Sequence, residues 1–186
     1  ATGASYPSLA TEGATLSFTI SGLNAGVSTE GIVTDATTSP TSVTFGKLPF
    51  DTETEAAQRI EVSTNATEGY QLFVFERQGL VHPSGEQIDP LTTTNLSPGT
   101  WNAGCVISSI GCYGYHTGDD TLSGGSTRFL ADNSYARFES APREIAHSYV
   151  PVESEITDVV YKVQVSEQQV GGLYQSNVAY IITPVF

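Results

Sequence analysis

Ala14-Thr15-Leu16-Ser17-Phe18-Thr19-Ile20-Ser21-Gly22 is the stretch whose reading decides the fold class. Leu16, Phe18 and Ile20 alternate strictly with Thr and Ser. A period of two puts one apolar face and one hydroxyl face on a β-strand. No helical stripe fits the same residues, because apolar positions two apart lie on different sides of a helix.

The same pattern recurs further along the chain. Arg59 to Thr64 reads as a strand with Ile60 and Val62 inward, and Asn65 to Gly69 as a turn. Tyr70 to Glu76 is apolar on both faces, as a central strand would be. Thr157 to Val165 places Val159, Tyr161, Val163 and Val165 on one face, with Lys162 and Gln164 on the other. Tyr174 to Phe186 points Tyr174, Val178, Tyr180 and Ile182 inward, and Tyr135 to Phe138 is a further short strand. Residues 33–44 are a Thr-rich strand or loop, and Phe45 to Phe50 a strand end with a turn. Asp51 to Gln58 is the one place where a helical turn is predicted, since Glu53, Glu55, Ala56 and Ala57 favour it. Strands separated by turn signals, without an amphipathic helix, predict an all-β protein: an Ig-like or jelly-roll-like β-sandwich. The expected organisation is an N-terminal segment, residues 1–23, ahead of a sandwich domain, residues 24–186. Tyr174 follows Gly171 and Gly172 just before the closing strand, the setting of a tyrosine corner.

Composition narrows the function classes. The chain has 186 residues and a net charge of −13, with only 7 Lys and Arg. Phosphate backbones and anionic membrane surfaces would repel it, so no nucleic-acid partner is expected. No apolar run approaches the ~20 residues of a membrane-spanning helix, so no membrane span is expected. The 186 residues contain no methionine. With Ala1 fitting a signal-peptide cleavage product, this predicts a processed, exported chain on the cell surface. Cys105 and Cys112 then read as a disulfide closing a short loop, contributing about 2.5 kcal/mol by chain entropy. Only His116 lies near them, too few ligands for zinc.

Several groups are candidates for chemistry. His82, His116 and His147 are scattered over predicted loops and strand edges, and no G-x-S-x-G, H-E-x-x-H or P-loop pattern accompanies them, so the chain is not expected to be an enzyme. No cofactor is expected. The acidic residues Asp51, Glu53 and Glu55, and the pair Asp119-Asp120, are candidate calcium ligands, although the Asp-x-Asp-x-Asp-Gly rhythm is missing. Asn65-Ala66-Thr67 and Asn95-Leu96-Ser97 match the N-glycosylation sequon, which makes Asn65 and Asn95 candidate acceptors. Trp101, Tyr113 and Tyr115 form either a sugar-stacking platform or a loop packed onto the sandwich.

Trp101-Asn102-Ala103-Gly104-Cys105, Gly111-Cys112-Tyr113-Gly114-Tyr115, Gly118-Asp119-Asp120 and Leu122-Ser123-Gly124-Gly125 occur here in that order. With Val62-Ser63-Thr64-Asn65, Gly69-Tyr70, Gly171-Gly172-Leu173-Tyr174 and the closing Tyr180 to Phe186, they resemble a group of prokaryotic secreted β-sandwich surface proteins. The resemblance covers residues 60–186. More distantly, the plan is similar to camelysin-like and TasA-type fibre subunits, which polymerise by donating an N-terminal strand to the next subunit. That likeness implies a homopolymer, with the chain as a structural subunit of an extracellular filament (a pilus-like fibre) or surface layer. Leu16, Phe18 and Ile20 are the candidate donor residues. The alternative is a monomeric adhesin or carbohydrate-binding module that meets a surface glycan through the loops from Trp101 to Gly125. A secreted hydrolase is a third.

Overall fold

The computed structural model describes residues 13–105, 111–119 and 121–186. The leader ahead of Gly13, the middle of the cysteine loop and Asp120 lie outside the described residues. The strands that build the two sheets are β1 Leu16–Gly22, β2 Thr54–Thr64, β3 Tyr70–Val81 and β4 Asp89–Pro90, followed by β5 Gly111–Thr117, β6 Arg143–Ser148, β7 Val152–Val165 and β8 Gln175–Pro184. One sheet has the order β1-β2-β7-β5-β4, the other β6-β3-β8. Among the described residues, no helix is long and apolar enough to cross a membrane.

The pairing is nested. β2 leads into β3 and β6 into β7; β2 pairs with β7, while β3 pairs with β6. Strands nested in this way across two facing sheets build a β-sandwich. The inner faces meet in one core containing Ile60, Val62, Tyr70, Leu72, Val74, Tyr115, Val159, Tyr161 and Val163.

β2 corrects the helical turn expected at Asp51 to Gln58. From Thr54 onward the chain is extended, and Ala56 and Ala57 pair with Tyr161 and Val160 of β7. Both alanines are fully buried. Local helix propensity amounts to a few tenths of a kcal/mol per residue, and the ladder and burial outweigh it. Residues 33–44 fall in part into two small ribbons, Ser28–Thr29 with Ile32–Val33 and Thr38–Ser39 with Ser42–Val43. β6 is a strand that periodicity did not indicate. A bulge between Glu144 and Ala146 shifts its register and breaks the alternation.

The large sheet is covered on its outer face as well. Leu23, Ile32, Leu91, Trp101, Cys105 and Tyr135 pack there against Ala57, Cys112 and Val160. This second layer buries β5 and the run from Thr157 to Val165 on both faces. Lys162 therefore lies inside the protein. Its Nζ is 2.6 Å from Glu53 and 2.7 Å from Glu55, and it sits over the rings of Trp101 and Tyr135.

Candidate assembly edge

β1 forms the edge of the large sheet. Leu16, Phe18 and Ile20 stand opposite Thr64, Val62 and Ile60 of β2. Their side chains are half-buried against the core, and Ser17, Thr19 and Ser21 are exposed. The strict alternation of the sequence is thus realised as one face on the core and one in solvent. Among the described residues, β1 pairs with β2 alone, so its outer edge carries no ladder partner. An open edge is a template for a further strand.

Both ends of β1 are held by specific groups. At the entry, Thr15 N–H donates to Asn65 Oδ1 at 2.6 Å, and Thr64 Oγ1 donates to the Thr15 carbonyl at 2.8 Å. A groove of about 280 Å³ opens there, between Thr15 to Ser17, Ser63 to Asn65 and Val152. At the exit, Leu23 N–H donates to Thr38 Oγ1 at 2.8 Å, which in turn donates to the Ala57 carbonyl at 2.6 Å. Gly22 is required at this join, because a Cβ would lie 2.1 Å from the Thr38 carbonyl oxygen.

The other predicted site residues fall in several places. Cys105 and Cys112 are bonded, with Cα atoms 5.6 Å apart. Tyr174 donates its hydroxyl to the Val170 carbonyl at 2.7 Å and packs its ring on His82, closing the turn ahead of β8. Asn65 is exposed at the entry of β1. Asn95 corrects its sequon reading. It is 1 % exposed, and its Nδ2 donates to Tyr115 Oη at 2.8 Å and to the Glu144 carbonyl at 2.9 Å, which leaves no room for a glycan in the folded protein.

Of the two readings of the aromatic residues, the structure bears out the packed one and not the sugar-stacking platform. Trp101 and Tyr113 are 4 % and 5 % exposed, and Tyr115 is fully buried. Trp101 Nε1 donates to Gln164 Oε1, Tyr113 Oη donates to Glu76, and Tyr115 stacks on Phe138. None offers a ring face to a sugar. Aromatic residues around a short disulfide loop are legible in sequence; which of them enter the main core (Tyr113 and Tyr115) and which the outer cluster (Trp101) is not.

The histidines are not simply loop residues. His116 lies in β5 and is 1 % exposed, with Nδ1 donating to the Ser134 carbonyl at 2.8 Å. His147 lies in β6. His82 shares Nδ1 with Ser84, whose hydroxyl is bonded directly to Glu86. A serine donating to the carboxylate and not to the imidazole does not have the arrangement of a nucleophile and its base. Of the acidic candidates, Glu53 and Glu55 are the partners of Lys162. Asp119 is engaged elsewhere, its carboxylate accepting from the backbone N–H groups of Thr121 and His147.

No protein-family model matches the chain, and no curated protein is similar to it in sequence.

Proposed function

We propose that this chain is a structural subunit of an extracellular filament or surface layer, joined to its neighbours by exchange of β1. The observation that carries the reading is the position of β1. It is a short, strictly alternating strand near the N-terminus, at a sheet edge, paired on one side only among the described residues. Donation to a second copy would keep the same register, with Leu16, Phe18 and Ile20 of one subunit opposite Thr64, Val62 and Ile60 of the next. Every pairing that β1 gives up within its own chain is made again with the neighbour, so exchange is close to neutral per subunit, while each full side-chain burial contributes about 1.5–3 kcal/mol to the joint. Gly22 and Leu23 are the natural hinge, since Thr38 anchors the chain from Leu23 onward. The short-loop disulfide supports an oxidising, extracellular setting. The resemblance to strand-donating fibre subunits points the same way. The reading assigns no catalysis. With Trp101, Tyr113 and Tyr115 buried, no observation favours the carbohydrate-binding alternative.

Electron microscopy of the full chain beside a version lacking residues 1–22 tests the proposal. Filaments are expected from the full chain, and soluble, folded, monodisperse particles from the shortened one. Monodisperse particles from both would overturn polymerisation. Filaments from both would place the contact away from β1.

A further inference from the structure

The two sequons, Asn65-Ala66-Thr67 and Asn95-Leu96-Ser97, have opposite surroundings. Asn95 is interior. Both N–H bonds of its Nδ2 are engaged, with Tyr115 Oη and the Glu144 carbonyl, so neither proton is open to replacement by a sugar. Asn65 lies in the turn between β2 and β3. There Ala66 is 1 % exposed and turned inward, while Asn65 and Thr67 on either side of it are exposed. The turn therefore presents the two residues that define the sequon together at the surface.

The Asn65 amide is also oriented for substitution. Its Oδ1 accepts Thr15 N–H at 2.6 Å, and its backbone N–H donates to the Thr15 carbonyl at 3.3 Å. These bonds turn the carbonyl side of the amide toward β1. Nδ2 makes one long contact among the described residues, 3.5 Å to the Gly13 carbonyl. A primary amide nitrogen carries two N–H donors, so one can be exchanged for a sugar without breaking a bond that holds the fold. The groove of about 280 Å³ at the entry of β1 includes Asn65 in its lining, together with Ser17 and Ser63. Serine hydroxyls both donate and accept, which suits the hydroxyl groups of a first sugar.

We propose that Asn65 is an N-glycosylation site and that Asn95 is not. The proposal rests on the extracellular setting proposed above, because sequon glycosylation belongs to exported chains. The co-reactant is a lipid-phosphate-linked oligosaccharide, delivered by a transferase on the export route. A bond forms between the anomeric carbon of the first sugar and Nδ2. The anomeric carbon–oxygen bond to phosphate breaks, the lipid phosphate leaves with that electron pair, and Nδ2 loses one proton. Oδ1 takes no part, so the bond from Thr15 N–H survives. The glycan is a bulky, solubilising group at the end of β1 away from Gly22.

Mass spectrometry of the chain exported by its native cells, intact and after tryptic digestion, tests this. Arg77 separates the two sequons, so they are read in different peptides. A glycan is expected at Asn65, and an unmodified Asn95. Thr67→Ala leaves the Asn65 amide and its bonds in place and is expected to abolish the added mass, whereas Thr67→Ser keeps the sequon and the glycan. Asn65→Gln is a poorer probe, because it also removes the partner of Thr15 N–H. An exported chain without a glycan at Asn65, a glycan at Asn95, or undiminished modification in Thr67→Ala would each overturn the proposal and leave the filament reading standing. A chain confined to the cytoplasm would overturn the extracellular setting, and both proposals with it.

Discussion

Lys162 shows how a single residue ties the outer layer to the sheet. Burial alone would lower its pKa, but the bonds to Glu53 and Glu55 outweigh it, and the ammonium is held above its ordinary value. The side chain bridges β7 to the start of β2 beneath the Trp101 and Tyr135 rings. Removing one member of a buried ion pair strands the other charge. Lys162→Met is expected to destabilise the protein by about 3–5 kcal/mol in urea unfolding, less to the extent that Glu53 reaches solvent. Adding Glu55→Gln to it should recover part of that loss, because the two changes are coupled. Additive losses would show that the pair does not act as described.

Among the elements, β1 and β2 face each other but are not equally committed to the core. Ile60 is fully buried in the centre of the large sheet, and Phe18 is half-buried at its edge. Ile60→Ala removes buried methyl groups and leaves a cavity, for an expected loss of about 2–5 kcal/mol. Phe18→Ala, measured on monomeric protein by the same denaturant titration, should cost distinctly less than the ~3–5 kcal/mol of a fully buried Phe. In an assembled filament the order should reverse, with Phe18→Ala suppressing polymerisation at concentrations where Ile60→Ala still assembles. Equal losses in the monomer would mean that β1 is an ordinary core strand and not an exchangeable one.

For the whole molecule, stability is shared between the sandwich core, the layer over the large sheet and the disulfide that staples that layer. Cys105 and Cys112 lie inside the second cluster, beside Trp101. Reduction is expected to remove about 2.5 kcal/mol and to lower the unfolding midpoint by roughly 5–10 °C, as read by calorimetry with and without reductant. An unchanged midpoint would show that packing alone holds the layer.

Strict alternation at Leu16 to Ser21 and partial alternation at Thr157 to Val165, with turn residues between strands, determined an all-β sandwich, because a two-residue period has one simple structural solution. The spacing of Cys105 and Cys112 determined the disulfide. Tertiary structure alone decided the rest. That Ala56 and Ala57 lie in a strand follows from the ladder with β7, which outweighs a weak local preference. That Trp101 is interior follows from a second layer folded over the sheet, whereas Tyr113 and Tyr115 belong to the core between the sheets and Asn95 is bonded to Tyr115 there. Alternation along a strand records which face is apolar, but it carries no information about what distant part of the chain covers the other face.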